Sequence, residues 1–457
     1  MEREQSFTAG PILGPLVRFA LPVLLAMFLQ ALYGAIDLWV VGKYALAGDV
    51  SGVSTGSQIM QAVTMVITGL AMGITVQVGQ KIGEGRPEEA GRAIGTGISL
   101  FFLMALVVTA VMVPGAGAAA RLMQTPAEAL AQTTAYVRLC AAGTVFIVAY
   151  NVLGSIFRGI GDSKMPLYTV AIASAFNVAG DLLFVAVFGM GAAGAAIATV
   201  LAQGLSVALS WLLIRRRELP FAMKAADLRP GRTVARRIMS LGVPIALQDL
   251  LVSISFLVLL AIVNSKGVIA SAGMGVAEKL CMFIMLVPSA FEQSMSAFVA
   301  QNVGAGEHDR ARRALGYSVA VSVAVGAVMA WAAFFHGDVL AGLFARDREI
   351  VAAGADYLKA YGIDCLLTPF LFCFIGFYNG YGKTVLVMAQ GIIGAFGIRI
   401  PVAYLMSRSA TASLFHIGLA TPCSTTVQIV ICLAALIVLG KRLGKEENMK
   451  ALCGGSI

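Results

Sequence analysis

The chain has 457 residues, 59% of them hydrophobic and only 12% charged, with a mean hydropathy of +0.86. Soluble domains carry about 25% charged residues, so half that share excludes the ordinary globular class and points to a chain built for a bilayer. The net charge of +9 is concentrated in connecting segments, which argues against a nucleic-acid partner.

The amino-terminal stretch MEREQSFTAGPILGPLV is polar and mixed in charge. It lacks the short apolar core and cleavage site of a signal peptide, so the first apolar run is expected to stay. Crossing a bilayer takes roughly 20 apolar residues, and about twelve runs meet that test. In chain order they lie near 15–42, 50–79, 92–113, 130–156, 166–188, 191–213, 240–264, 271–301, 314–335, 353–378, 384–407 and 411–440. The 50 glycines suit close helix packing in lipid. The expected fold is an all-α polytopic membrane protein. Its first lobe would be 1–213, a linker 214–238, a second lobe 239–443 and a tail 444–457.

Charge orients these spans. Arg215, Arg216, Arg217, Lys224, Arg229, Arg232, Arg236 and Arg237 crowd the central connection. Lys441, Arg442, Lys445 and Lys450 follow the last span, and Lys81, Arg86, Arg92, Arg310, Arg312 and Arg313 mark two further loops. The positive-inside rule then puts both termini and the linker on the cytoplasmic side of a plasma (inner) membrane. There the basic charge meets anionic lipid.

The two halves repeat. QKIGEGRPEEAGRAIG at 80–95 aligns without a gap with QNVGAGEHDRARRALG at 301–316. Gln80/Gln301, Gly83/Gly304, Gly85/Gly306, Arg92/Arg313 and Gly95/Gly316 are shared. The same offset matches Tyr136 with Tyr357 and Gly159 with Gly380, and one residue off it Pro22 matches Pro244. Six spans per half is an even number, so both halves enter from one side and the repeat is parallel. The GEG and GAG turns lack a following Lys-Ser/Thr, which argues against ATP and for tight connections capped by a short helix. No nucleophile elbow or other catalytic motif is present, so the chain is not expected to be an enzyme. The scattered His308, His336 and His416 and the seven cysteines have no metal-site spacing.

These motifs, together with IFRGIGDSK at 156–164, NVAGDLLFVAVFGMGAAGAAIATVLAQ at 177–203 and IRIPVAYL at 398–405, resemble the multidrug and toxic compound extrusion (MATE) family over essentially the whole chain. The resemblance implies two six-helix lobes and export of cationic or amphipathic compounds driven by inward H⁺ or Na⁺. It looks closest to the DinF-like branch. The ion site of that branch matches Tyr33 and Asp37 in span 1, Asn177 and Asp181 in span 5, and Thr199 in span 6. Asn151 matches a polar cavity position, and Pro22 falls where such proteins bend span 1.

The residues make physical sense by themselves. Asp181 sits within FNVAGDLLF, where an ionised carboxylate is expensive. At 1.5 Å rise per residue, Asp181 lies about 10 Å, Thr199 about 12 Å and Asp37 about 9 Å from the same membrane surface. Tyr33 and Asp37, like Asn177 and Asp181, are one helical turn apart. Two carboxylates in one site can share a proton, and the same oxygen-rich set can hold Na⁺.

The second half departs from this pattern. Leu259 stands opposite Asp37, and Arg399 falls near the position facing Asn177 and Asp181. Its own acids are Asp249, Glu278, Glu292 and Asp364, with Asp249 and Glu278 as candidates to pair with Lys279 or Arg399. Glu292, with Asp249 and Asn151, is the choice for the substrate cavity. The reading is an antiporter acting as a monomer among membrane lipids. It would use no cofactor and exchange H⁺ or Na⁺, the coupling ion, for a small amphipathic or cationic molecule by alternating access. The rivals are a flippase for a lipid-linked metabolite and a membrane-embedded enzyme or receptor.

Overall fold

A computed structural model describes residues 7–215, 224–409 and 413–453. Arg216 and Arg217 of the expected linker and the last four residues of the expected tail lie outside the described residues, as do the side chains of Arg442, Lys445 and Lys450.

The described chain is helical, with no strand among the described residues. The first half contributes α1 (Leu13–Tyr44), α2 (Ala47–Gly83), α3 (Pro87–Leu122), α4 (Leu130–Ala142), α5 (Thr144–Ile160), α6 (Lys164–Asp181) and α7 (Gly191–Arg215). The second half contributes α8 (Arg232–Asn264), α9 (Val268–Ile284), α10 (Leu286–Gly304), α11 (His308–Phe335), α12 (Gly337–Gly342) and α13 (Arg348–Gly380). It ends with α14 (Thr384–Ile392), α15 (Ile400–Ser407), α16 (Leu414–Gly418) and α17 (Ala420–Cys453). Eleven of the described spans are long and apolar enough to cross a membrane, and α4 with α5 makes a twelfth that bends by 55°. The bend sits at Gly143, where a side chain would run into Val200 of α7. The expected single run 130–156 is therefore a broken span.

The glycine turns predicted at 83–86 and 304–307 are present, with Gly85 and Gly306 at φ +68° and +78°, a left-handed geometry that glycine adopts freely. They lead straight into the long helices α3 and α11; no separate short helix caps them. Pro22 is inside α1, which continues without interruption on both sides of it.

By internal contacts the chain divides into two compact units. Unit 1 comprises Met1–Leu250, Ser289–Ser318 and Gly376–Val385; unit 2 comprises Leu251–Pro288, Val319–Ile375 and Leu386–Ile457. Unit 1 has an apolar core around Ile67, Ile74, Phe101, Val148 and Ile238, and unit 2 one around Leu259, Met274, Tyr357, Leu358 and Ile417. Large apolar side chains such as Leu103, Val107 and Val111 face outward. Lipid tails solvate them as well as any core does, so helix association rests on close packing of small residues.

Within unit 1 that packing brings the two copies of the repeated motif face to face. A Cβ on Gly83 would run into the carbonyl of Gln301, and one on Gly304 into the carbonyl of Gln80. The Gln80 side chain donates to Gly380 O at 3.0 Å, and Gln301 donates to Gly159 O at 2.9 Å. Both contacts are reciprocal under the repeat, as contacts across a two-fold axis are. Deeper in the same seam Gly69 meets Ala246, and Gly73 meets Ile238 and Gly242.

The amino-terminal segment straps this seam. Phe7 is buried, its ring 5.2 Å from Phe19 and 5.0 Å from Phe298. Arg310 donates to the carbonyls of Phe7, Ala9, Gly10 and Pro11, and Asn302 donates a further bond to Phe7 O.

Candidate functional site

Three helices of unit 1 converge on the first acidic pair, since α6 packs against both α1 and α7. Asp37 comes from α1 one turn beyond Tyr33, Asp181 ends α6 one turn beyond Asn177, and Thr199 comes from α7. The Thr199 hydroxyl donates to Asp37 Oδ2 at 3.4 Å. The Asp37 and Asp181 carboxyl groups are immediate neighbours. Tyr33 lies beside Asp37, and its hydroxyl meets Gln203 of α7. All five residues expected to form an ion site are thus brought together, and Asp37, Asn177 and Asp181 are 6%, 1% and 0% exposed.

The chemistry follows from what these groups lack. Ionised carboxylates accept and cannot donate. Both Asp181 oxygens, Asp37 Oδ1 and the Asn177 amide have no hydrogen-bond partner in the protein. Burying polar groups unsatisfied is costly, and burying like charges more so. A proton shared across the pair supplies a donor and removes a charge. A small monovalent cation with oxygen ligands meets the same need, and Tyr33, Asn177 and Thr199 offer oxygens of the right kind for either. A small cavity opens beside the pair, lined in part by Tyr33, Tyr150, Ser174, Asn177, Thr199 and Gln203.

At Asp181 the backbone leaves α geometry. Leu182–Val187 form a π-helical segment, and Ile393–Arg399 form another between α14 and α15. Such insertions recur at functional sites. Here one begins directly after the buried acid and the other ends on the buried arginine of unit 2.

Asn151 is placed in α5, where its Nδ2 donates to Ile147 O at 2.8 Å and its Oδ1 accepts from Thr68 of α2 at 2.9 Å. Both polar ends are engaged, the amide nitrogen within α5 and the oxygen joining α5 to α2. Asp249 of α8 and Glu292 of α10 are half-buried and close enough to interact electrostatically. They form a second acid pair in unit 1. In unit 2, Asp364 accepts from Thr368 at 2.9 Å and neighbours Arg399. Arg399 donates to Ser255 at 2.7 Å and lies over the Phe256 ring at 4.2 Å. Glu278 lies near Tyr357.

Residues that sequence reasoning passed over also belong here. Gln30 donates to Tyr150 at 2.5 Å, and Tyr150 neighbours both Tyr33 and Arg158. Gln30, Tyr150 and Gln203 are polar residues inside apolar runs, a signal present in the sequence that does not say which of them meet.

A model of the MatE family matches residues 22–183 and 244–405, once in each half. The chain is 27% identical over 420 residues to the probable multidrug resistance protein YpnP of Bacillus subtilis (strain 168), spanning 88% of this chain and 90% of that protein. It is 23% identical over 427 residues to the multidrug export protein MepA of Staphylococcus aureus (strain MW2), spanning 88% of each. Among solved structures, a MATE protein crystallised in complex with MaL6 superposes with a TM-score of 0.90 at 20% identity, covering 97% of this chain and 100% of that one. An outward-facing multidrug resistance MATE family transporter of the MOP superfamily also gives 0.90, at 22% identity, covering 97% and 99%.

Proposed function

The chain belongs to the MatE family of multidrug efflux transporters, and from that premise we propose that it is a secondary active antiporter that exchanges inward H⁺ for an amphipathic organic substrate. Asp37 and Asp181 carry the proton, Thr199 and Tyr33 orient Asp37, and Asn177 lines the cavity beside them. The observation that carries this reading is the buried carboxyl pair in which Asp37 Oδ1 and both Asp181 oxygens find no donor in the protein. Such a pair gains most from the arrival of one proton and is destabilised by its departure. A site whose preferred protonation differs between two conformations can couple a gradient to alternating access. Na⁺ is the alternative ion for the same oxygens. Relatives named as multidrug resistance and export proteins support a small-molecule cargo. The basic connections support cytoplasmic termini.

The test is efflux of a cationic dye from proteoliposomes under an imposed pH gradient, with wild type beside Asp181→Asn and with or without a Na⁺ gradient. Transport driven by the pH gradient and lost in the variant is expected. Full transport by the variant would remove Asp181 from the mechanism. Transport driven by Na⁺ alone would keep the site and change the ion.

A further inference from the structure

Arg158 is a charge inside a membrane span that the acid-pair mechanism does not use. It lies in the last turn of α5, where an arginine ordinarily stretches past the helix end toward lipid headgroups. Here it does the opposite. The guanidinium folds back one turn, its Nη2 donating to Ser155 Oγ at 2.9 Å and its Nη1 lying 3.3 Å from where a Gly154 Cβ would sit. Glycine at 154 makes the room for that fold-back. No carboxylate pairs with Arg158 among the described residues, and its charged or titratable neighbour is Tyr150, two turns back along the same helix face. Of the five N–H donors of a guanidinium, Ser155 takes one, and Nε is buried with no acceptor. The residue as a whole is only partly buried, which leaves part of its side chain within reach of a ligand.

A desolvated guanidinium with unused donors, held by a serine and given space by a glycine, matches the two oxygens of a carboxylate or phosphate. Tyr150 in turn neighbours Tyr33, and Tyr33 neighbours Asp37. The cationic fork and the acid pair are therefore the two poles of one line of polar groups in unit 1. We propose that Arg158 is an anion subsite: it binds the carboxylate or phosphate of a zwitterionic amphiphile whose cationic or aromatic part lies toward Tyr150 and Tyr33. This deepens the exporter reading by naming a substrate class, and it rests on that reading for the direction of movement but not for binding.

The experiment is equilibrium binding by fluorescence anisotropy to the purified full-length protein in phosphatidylcholine nanodiscs. The probes are a rhodamine with a free carboxylate and its ethyl ester, which differ in that group alone. Wild type is expected to prefer the free carboxylate. Arg158→Gln should weaken the carboxylate dye by about tenfold or more, the loss typical of a charge-assisted contact, and leave the ester unchanged. Arg158→Lys should fall between, since it keeps the charge and loses the fork. Gly154→Leu, which keeps the arginine but denies it the folded-back position, should reproduce the selective loss and serves if Arg158→Gln does not fold. Equal affinity of both dyes for wild type, or equal weakening of both in the variants, overturns the proposal. Adding phosphatidylglycerol separates the sources of the anion. Competition with the carboxylate dye in wild type but not in Arg158→Gln assigns the subsite to a lipid headgroup; no competition assigns it to a soluble substrate. Binding is read without flux, so failure of the exporter reading would show as absent transport with the dye selectivity intact.

Discussion

One added methyl group at Gly83 should loosen the seam between the repeated motifs. In Gly83→Ala the new Cβ would overlap the Gln301 carbonyl oxygen, with the Gln301 carbonyl carbon at 2.8 Å and its Cα at 3.0 Å. These are backbone atoms of a helix and cannot rotate away, so α2 and α10 must separate locally. Overpacking of this kind costs about 1–3 kcal/mol, which shifts an equilibrium between closed and open seams by roughly 5- to 150-fold. Gly304→Ala should do the same, because its Cβ would meet the Gln80 carbonyl carbon at 2.9 Å and Cα at 3.0 Å. The reporter is a Ser296→Cys thiol in a background without the native cysteines. Ser296 is buried, and its Oγ has no hydrogen-bond partner, so the exchange is nearly isosteric. A water-soluble maleimide should label this thiol faster in both alanine variants, by similar factors. The reasoning fails if thermal unfolding drops while labelling is unchanged, because the glycines would then serve packing alone. It also fails if only one of the two variants opens the seam, since the contacts would not be equivalent.

Two further outcomes are expected. Arg310→Ala removes donors to four carbonyls of the amino-terminal segment, and Phe7→Ala empties a buried aromatic site at a cost of about 3–5 kcal/mol. Both should speed limited proteolysis before α1 in the folded protein, and unchanged cleavage would show that the segment is held by something else. In unit 2, Asp364→Asn or Arg399→Gln alone should destabilise by about 1–3 kcal/mol, since each leaves a buried charged neighbour less compensated, and the double variant should recover part of that loss. Additive losses in chemical unfolding would mean that the two groups do not interact.

Much of this molecule is readable from its residues, for identifiable reasons. Apolar run length reports membrane spans directly, because the bilayer sets one thickness for all of them. Asp37, Asp181 and Thr199 are legible because polar groups at one depth in three spans are costly unless they meet one another. The bend at Gly143 is not legible, because hydropathy carries no dihedral information and glycine is common in these spans. The π segments are hidden for the same reason: one extra residue in a turn hardly alters an apolar pattern. The repeated Gln and Gly of 80–85 and 301–306 read as turn chemistry. Their larger role, each copy bonding the other's side of the seam, depends on contacts between residues far apart in the chain, such as Gln80 and Gly380. Arg158 lies within the IFRGIGDSK motif, yet only its folded-back conformation separates it from an ordinary helix-end arginine.

The strap formed by residues 7–11 has a consequence for biogenesis. It leaves the ribosome well before the second-half groups that hold it, Phe298, Asn302 and Arg310, which follow about 300 residues later. At elongation rates of roughly 5–20 residues per second, that is a delay of about 15–60 s. During that interval the segment has Phe19 but none of its second-half partners, although the first six spans are already available for insertion. Docking of Phe7 therefore marks the arrival of the second half, and a chain halted before α10 would carry a loosely held, protease-accessible segment ahead of α1 that tells it apart from a finished one.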